Sequence, residues 1–223
     1  MEKGPRFVFV LGPPGSGKSS ICKTVVKLTH HPLYRFLHLS VGDYLRELSD
    51  PSKTEPSGPE DINCDKIREY LKENKLLPAE DLIPALKHRI ESTPNWNSEK
   101  AFWLIDGFPR DMESLRSFEE NVGKPCRVLV LQCSRNVARD RFLGRAREEA
   151  DDEKRFDKRF DEYLENMKEI RKHYNSIEHV VSLFCLLFSL FCGRSLWIHF
   201  CANFKCVRLV PTDRVTIART DSW

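Results

Sequence analysis

The run Gly12-Pro-Pro-Gly-Ser-Gly-Lys18-Ser19 decides the fold, because it matches the eight-residue phosphate-binding loop at every fixed position. Glycines at these positions let the backbone curl so that successive N–H groups point at phosphate oxygens. The apolar run Phe7–Leu11 before the loop predicts a strand, and the periodic residues after it predict a helix whose positive end faces the phosphates. The sequence therefore predicts a nucleoside triphosphate site, with Lys18 on the β- and γ-phosphates and Ser19 as a Mg²⁺ ligand.

Strand-like apolar runs alternate with helical periods along the chain. The further strand-like runs are Phe36–Leu39, Phe102–Ile105 and Arg127–Leu131. Helical faces are formed by Ile21, Val25 and Leu28, by Leu82, Leu86 and Ile90, and by apolar residues from Phe156 to Ile177. Pro84 fits the first turn of the second helix if that helix begins near Asp81. This order predicts the α/β class, with a parallel sheet covered on both faces.

Composition narrows the kind of protein. The 223 residues fit one domain, and 40% hydrophobic with 31% charged residues is typical of a globular chain. A net charge of +3 is too small to argue for nucleic acid as the main partner. The first residues lead directly into a strand without a targeting pattern, so a cytoplasmic location is expected. Cys22, Cys64, Cys126 and Cys133 form no Cys-x-x-Cys pair, which argues against structural zinc and a disulfide framework.

Two segments stand apart from this pattern. Ser49–Asn63 has three prolines and no bulky apolar residue before Ile62, which predicts an exposed, mobile loop. Val180–Cys192 is thirteen residues without a charge, and a membrane span of about 20 residues would have to include Arg194. A membrane anchor is therefore disfavoured. Because this stretch lacks a helical or strand period, a retained intron beginning near Val181 is the working hypothesis for it.

Asp106 ends a predicted strand and opens the run Asp106-Gly-Phe-Pro-Arg110. The carboxyl edge of a parallel sheet is where ligands bind, so this carboxylate is a candidate for ordering Mg²⁺. With the phosphate-binding loop, His38-Leu-Ser-Val-Gly-Asp43, Tyr44-Leu-Arg46, Leu76-Leu-Pro78, Arg141-Phe-Leu-Gly-Arg145 and Lys158-Arg159-Phe, the chain resembles the nucleoside monophosphate kinases, meaning adenylate kinase and UMP-CMP kinase. The resemblance runs from about Phe7 to Ile177.

The resemblance implies a three-layer P-loop kinase fold with a five-stranded parallel sheet, a helical monophosphate-binding flap and a short lid. It implies a kinase domain over residues 1–180, with the flap at about 40–78 and the lid at about 145–156, followed by an atypical tail over 181–223. ATP and Mg²⁺ are the implied cofactors. The implied ATP-binding residues are Gly12, Gly15, Ser16, Gly17, Lys18, Ser19, Ser20 and Arg141.

The resemblance also implies the residues for the acceptor and for transfer. The acceptor-binding positions are Ser40, Arg46, Leu77, Gly107, Arg110 and Ser114. Lys18, Arg110, Arg145 and Arg159 are the implied catalytic residues, with Asp106 acting through Mg²⁺-bound water. Such a cluster is what phosphoryl transfer requires, since the reaction needs in-line positioning and positive charge rather than a protein nucleophile.

Several positions depart from the family pattern. Val41 replaces a threonine, and Glu149-Ala150 replaces the lid Gly-Arg before Asp151-Asp152, with Arg147 or Arg155 as possible substitutes. Ser114 stands where adenylate kinases have Gln and UMP-CMP kinases have Asn, so neither base preference is supported by this position. Asn74 and Lys75 precede the Leu76-Leu-Pro78 motif in place of the usual glycine. Only Val207–Val210 is left to supply the family's fifth strand.

These observations predict an ATP-dependent kinase that converts AMP, CMP or UMP to the diphosphate. The alternative is a degenerate or mis-spliced paralogue that binds ATP without kinase activity. The expected partners are a nucleoside monophosphate and ATP, with neither nucleic acid nor a membrane. A cytoplasmic monomer is expected.

Overall fold

The computed structural model describes residues 4–28, 34–52, 62–145, 152–175 and 180–184. These residues form a parallel sheet with helices packed against it. Four strands form the main body of the sheet: β1 (Arg6–Leu11), β2 (Arg35–Ser40), β3 (Ala101–Asp106) and β4 (Pro125–Gln132). The helices are α1 (Lys18–Leu28), α2 (Val41–Leu48), α3 (Cys64–Lys72), α4 (Ala79–Glu91), α5 (Met112–Asn121), α6 (Arg135–Gly144) and α7 (Glu153–Asn175). The predicted α/β class with a parallel sheet is confirmed.

The strand beside β4 at the edge of the sheet is not the one that the sequence predicted. The short edge segment β5 (Val180–Phe184) pairs with β4 in parallel register, from Val128 opposite Val180 to Gln132 opposite Phe184. The strand order is β2-β3-β1-β4-β5. The expectation that only Val207–Val210 could supply a strand here is therefore wrong, because β5 begins in the uncharged stretch that was set apart as tail. Residues 207–210 lie outside the described part of the chain.

The strands are buried because helices cover the sheet on both sides. All six residues of β3 are buried, and so are the last five of β1. One large core centres on Phe9, whose ring makes edge contacts with Phe108 and Phe118 at centroid distances of 5.3 Å. Continuous apolar strands of this kind are typical of a parallel sheet with two covered faces. A separate small core of Ala138, Phe142, Phe156 and Phe160 joins α6 to α7.

Helix α4 corrects the position predicted for Pro84. The helix begins at Ala79, two residues before Asp81, so Pro84 is its sixth residue and lies beyond the first turn. Proline there has no N–H to donate to the carbonyl of Glu80 four residues earlier. Leu82, Leu86 and Ile90 are buried as predicted. The helix persists through Pro84 because burial of this face outweighs the lost hydrogen bond.

Several predictions fall wholly or partly outside the described residues. The loop expected over Ser49–Asn63 is described only at its two ends, and the lid is described only up to Arg145 and from Asp152. The helix predicted to reach Ile177 is described to Asn175. The tail-anchor and retained-intron hypotheses concern residues of which only Val180–Phe184 are described. None of the helices in the described ranges is long and apolar enough to cross a membrane.

Candidate active site

The glycine-rich loop connects the end of β1 to the start of α1. Gly15 and Gly17 have φ angles of +78° and +88°, a region that L side chains rarely adopt. Gly15 also lies against α6: a Cβ atom at this position would be 2.0 Å from the carbonyl oxygen of Ala138. A side chain at this position would therefore force the loop and α6 apart, so the shape of the loop depends on the position of α6.

Lys18 is the first residue of α1, and its side chain folds back over the loop. Its Nζ donates to the carbonyl oxygens of Gly12 at 2.7 Å and Pro13 at 2.9 Å. Burial lowers the pKa of Lys18 to about 8; the cations Arg110, Arg159 and Arg145 add to this, and Asp106 opposes it. Burial and the nearby cations thus destabilise the charged form of Lys18, and a bound anionic phosphate would stabilise it.

Asp106 is the last residue of β3 and only 3% exposed. The hydroxyl of Ser19 donates to its Oδ2 at 2.5 Å, and Nε2 of His38 lies 3.5 Å from the same oxygen. Burial would raise the pKa of this carboxyl, but His38, the Lys18 charge and the Ser19 hydroxyl outweigh it and lower the pKa below its ordinary value. Asp106 is therefore a carboxylate at neutral pH.

The oxygens of Ser19 and Asp106 fit a magnesium ion. Both are hard ligands, and Mg²⁺ typically takes one or two protein oxygens and keeps several waters. A site of this kind needs no cluster of carboxylates, and the described residues contain no group of three or more His, Cys, Asp or Glu suited to a metal.

Arg46 and Arg110 approach each other across Gly42. A Cβ atom on Gly42 would be 3.5 Å from Nη2 of Arg46 and 3.9 Å from Nη2 of Arg110. Arg46 is paired with Asp43 one turn earlier on α2, and Nε of Arg110 donates to the carbonyl oxygen of Gly107 at 3.1 Å. Two guanidinium groups aimed at one point are suited to a phosphate, which accepts their N–H groups bidentately.

Three further arginines come from α6 and α7, the helices on either side of the predicted lid. Arg141 and Arg145 lie at the end of α6, and Arg159 lies on α7. The guanidinium of Arg145 is 4.0 Å from the centroid of the Phe142 ring, which belongs to the small core between the two helices. This core holds α6 against α7, so the positions of the three arginines depend on how the two helices pack.

A cavity of about 380 Å³ brings these groups together. Its polar lining carries one lysine and five arginines against two carboxylates, which is the charge that a triphosphate and a monophosphate would balance. The predicted residues that line it are Gly12, Gly15, Gly17, Lys18, Ser19, Ser20, Ser40, Arg46, Asp106, Gly107, Arg110, Arg141, Arg145 and Arg159.

A second, smaller cavity of about 60 Å³ adjoins the first. Arg46, Arg110 and Arg159 line both, so the two cavities meet at these arginines. Leu77 and Ser114, two of the predicted acceptor-binding residues, line the smaller cavity and not the larger one. The remaining predicted residue, Ser16, is 1% exposed and lines neither cavity; its hydroxyl lies 3.4 Å from Nζ of Lys18.

The predicted lid, which carries the departures from the family pattern, is only partly described. Glu149, Ala150 and Arg147 lie outside the described residues. Arg155, the other candidate substitute for the missing lid arginine, is in the first turn of α7 and is not among the residues that line the larger cavity.

Sequence reasoning missed several polar residues of the site. His38 was quoted in a motif but given no role, although it contacts Asp106. Glu162 and Asn166 line the larger cavity from α7, and Asp111 lines the smaller one. The spacing along α7 could have predicted two of them. Glu162 and Asn166 follow Arg159 by three and seven residues, which places all three on one face of a helix.

Comparison with known proteins agrees with this geometry. The family model described as adenylate kinase matches residues 10–179. The UMP-CMP kinase of Rattus norvegicus is 34% identical over 182 residues, which are 79% of this chain and 87% of the relative. The human UMP-CMP kinase is 32% identical over the same shares, and UMP-CMP kinase 3 of Oryza sativa is 38% identical over 78% of this chain and 76% of the relative.

The phosphate-binding loop, the buried Asp106 and the arginine-lined cavity are thus found in a chain that matches this family over most of its length. The described residues and the comparisons do not favour the alternative of an ATP-binding chain without kinase activity. The chain belongs to the adenylate kinase family, and it is a nucleoside monophosphate kinase that uses ATP as phosphoryl donor.

Proposed function

We propose that the acceptor of this kinase is a pyrimidine nucleoside monophosphate, bound with its phosphate between Arg46 and Arg110 and its base in the smaller cavity. The observation that carries the proposal is the meeting of the two cavities at these arginines. At about 60 Å³ the smaller cavity favours a single-ring base over the two rings of a purine. The relatives reported above are named for UMP and CMP.

The donor would lie over the glycine-rich loop. In this arrangement the loop N–H groups and Lys18 bind the phosphates, while Ser19 and Asp106 hold Mg²⁺, which supplies charge neutralisation on the phosphate oxygens when bound. Arg141 would cover the adenine. An oxygen of the acceptor phosphate attacks the γ-phosphorus as the bond to the β-phosphate oxygen breaks, so that ADP leaves. No protein nucleophile is needed.

The arginines would do most of the catalytic work. Arg145 and Arg159, from the two sides of the lid, would neutralise charge on the transferring group together with Lys18 and Arg110. Closure of the lid would exclude water, which otherwise competes with the acceptor for the γ-phosphate. We also propose a cytoplasmic monomer, which cell fractionation and sedimentation of the purified protein would test.

The test is a coupled assay with Mg-ATP and AMP, CMP, UMP or dAMP as acceptor. We expect turnover with the pyrimidine nucleotides, and a fall in kcat of roughly 10²–10³ for Lys18→Ala. Arg46→Ala should raise KM for the acceptor by about 10- to 100-fold and leave KM for ATP unchanged, because the side chain is proposed to contact only the acceptor phosphate. Equal effects of Arg46→Ala on both substrates, or a preference for AMP, would contradict the proposal.

A further inference from the structure

At its α5 end the smaller cavity presents hydrogen-bond acceptors, Asp111 and Ser114, whereas its donors lie elsewhere in the lining. Asp111 caps α5: its Oδ1 accepts from the backbone N–H of Ser114 at 2.7 Å, and its Oδ2 accepts from the Ser114 hydroxyl at 3.0 Å. The hydroxyl has a single proton, and that proton is used in this bond. Ser114 therefore offers only oxygen lone pairs to a bound base, and Asp111 keeps two of its four acceptor positions.

The rest of this cavity is mainly apolar or already engaged. Aliphatic side chains and Phe108 form about half of its wall. Arg46, Arg110 and Arg159 lie where it meets the larger cavity and are the proposed phosphate ligands. Two polar residues line the flap side. Lys75 has its Nζ ion-paired with Glu73 at 2.5 Å, and its side chain is 62% exposed. Tyr70 brings a hydroxyl that can donate or accept and therefore does not by itself distinguish cytosine from uracil. Asp111 and Ser114 are thus the polar pair at the α5 end.

We propose that Asp111, held in place by Ser114, determines base specificity and selects cytosine over uracil. The inference rests on the proposed function, because it takes the smaller cavity as the acceptor-base site. Cytosine presents a 4-amino donor where uracil presents a 4-oxo acceptor, and a carboxylate pairs with the first and opposes the second. Adenine also has an amino group, but the small volume of this cavity favours the single ring of cytosine. The acceptor that fits best is CMP.

The expected preference is measurable. A correctly placed polar contact to a base edge discriminates by a factor of about 5 to 150, so kcat/KM should favour CMP over UMP within that range. Asp111→Asn keeps a good helix cap and the side-chain size while adding an N–H₂ donor, which uracil can use. We expect this variant to lower the ratio of CMP to UMP by about fivefold or more.

Glu113→Gln is the matched control. It makes the same chemical change two residues away, in the first turn of the same helix, but Glu113 is exposed and does not line the cavity. Its CMP to UMP ratio should equal that of the wild type. A wild-type ratio at or below one, or an unchanged ratio in Asp111→Asn, would overturn the inference, as would a preference for AMP.

Calorimetric titration of the wild-type protein with CMP and with UMP separates this inference from the proposed function. If no monophosphate is phosphorylated, the proposed function fails, while tighter binding of CMP than of UMP still supports the role of Asp111. If neither nucleotide binds, or if UMP binds as tightly as CMP, the inference fails. Should Asp111→Asn not fold, as judged by circular dichroism, the wild-type ratio decides alone.

Discussion

Replacement of Gly15 by alanine should destabilise the protein more than the same change at Gly17. Both residues have positive φ angles, and alanine in this region costs about 1–3 kcal/mol at either site. The two differ in their surroundings. A Cβ on Gly17 would meet nothing within 4 Å, whereas a Cβ on Gly15 would lie 2.0 Å from the carbonyl oxygen of Ala138.

The magnitude follows from that distance. A carbon and a carbonyl oxygen normally approach to about 3.3 Å, so the loop and α6 would have to separate by about 1.3 Å. Such overpacking costs about 1–3 kcal/mol beyond the backbone strain. The free energy of unfolding of Gly15→Ala should therefore be lower than that of Gly17→Ala by about 1–3 kcal/mol.

Urea unfolding of the unliganded proteins, followed by circular dichroism, measures this difference without nucleotide contacts. The same displacement would shift α6, which carries Arg141, so kcat/KM of Gly15→Ala should fall by about 100-fold as well. Unfolding free energies within about 0.5 kcal/mol of each other would refute the claim that the loop is shaped by its contact with α6.

Three further predictions concern Lys18 and Tyr174. The pKa of Lys18 is lowered to about 8 in the free protein, and a bound triphosphate would raise it. Affinity for ATP should therefore fall by up to about tenfold per pH unit above pH 8. A Kd for ATP that does not change between about pH 7 and 9.5 would contradict this. The same shift means that the folded state binds fewer protons than the unfolded state between pH 8 and 10.5, so this residue should make unliganded protein more stable as pH rises through that window. Tyr174→Phe removes the hydrogen bond from the buried hydroxyl to the carboxylate of Glu119 at 2.9 Å and should lower the free energy of unfolding by about 1.5–3 kcal/mol, with no change in KM for either substrate. A raised KM would instead link this contact to the site.

The sequence was most informative where one residue type satisfies one physical need. The glycines of the phosphate-binding loop, the apolar strands and the helical periods each have a local cause, and the elements they predict are present. The parallel sheet then brings Ser40 and Asp106 to one edge, since the two residues are opposite each other in the register of β2 and β3. The cavity lined by distant arginines follows from that topology.

Other features depend on contacts that no local pattern encodes. The period of α7 predicts a helix but not which of its charged residues face the cavity, so Glu162 and Asn166 were missed. Pro84 was placed in a first turn because proline is usual there, yet burial of Leu82 and Leu86 extends the helix to Ala79. Strand β5 was missed because its composition resembled the tail that follows it, and pairing with β4 is a long-range contact.

Following the fate of the γ-phosphate is the most direct test of the central claim, that the cavity directs this group to a nucleoside monophosphate. The purified protein is incubated with γ-labelled ATP, Mg²⁺ and CMP, and the products are separated. The proposed arrangement predicts label in CDP, little label in inorganic phosphate, and loss of transfer in Lys18→Ala. Label that appears only in inorganic phosphate, or CDP formed equally well by Lys18→Ala, would contradict it.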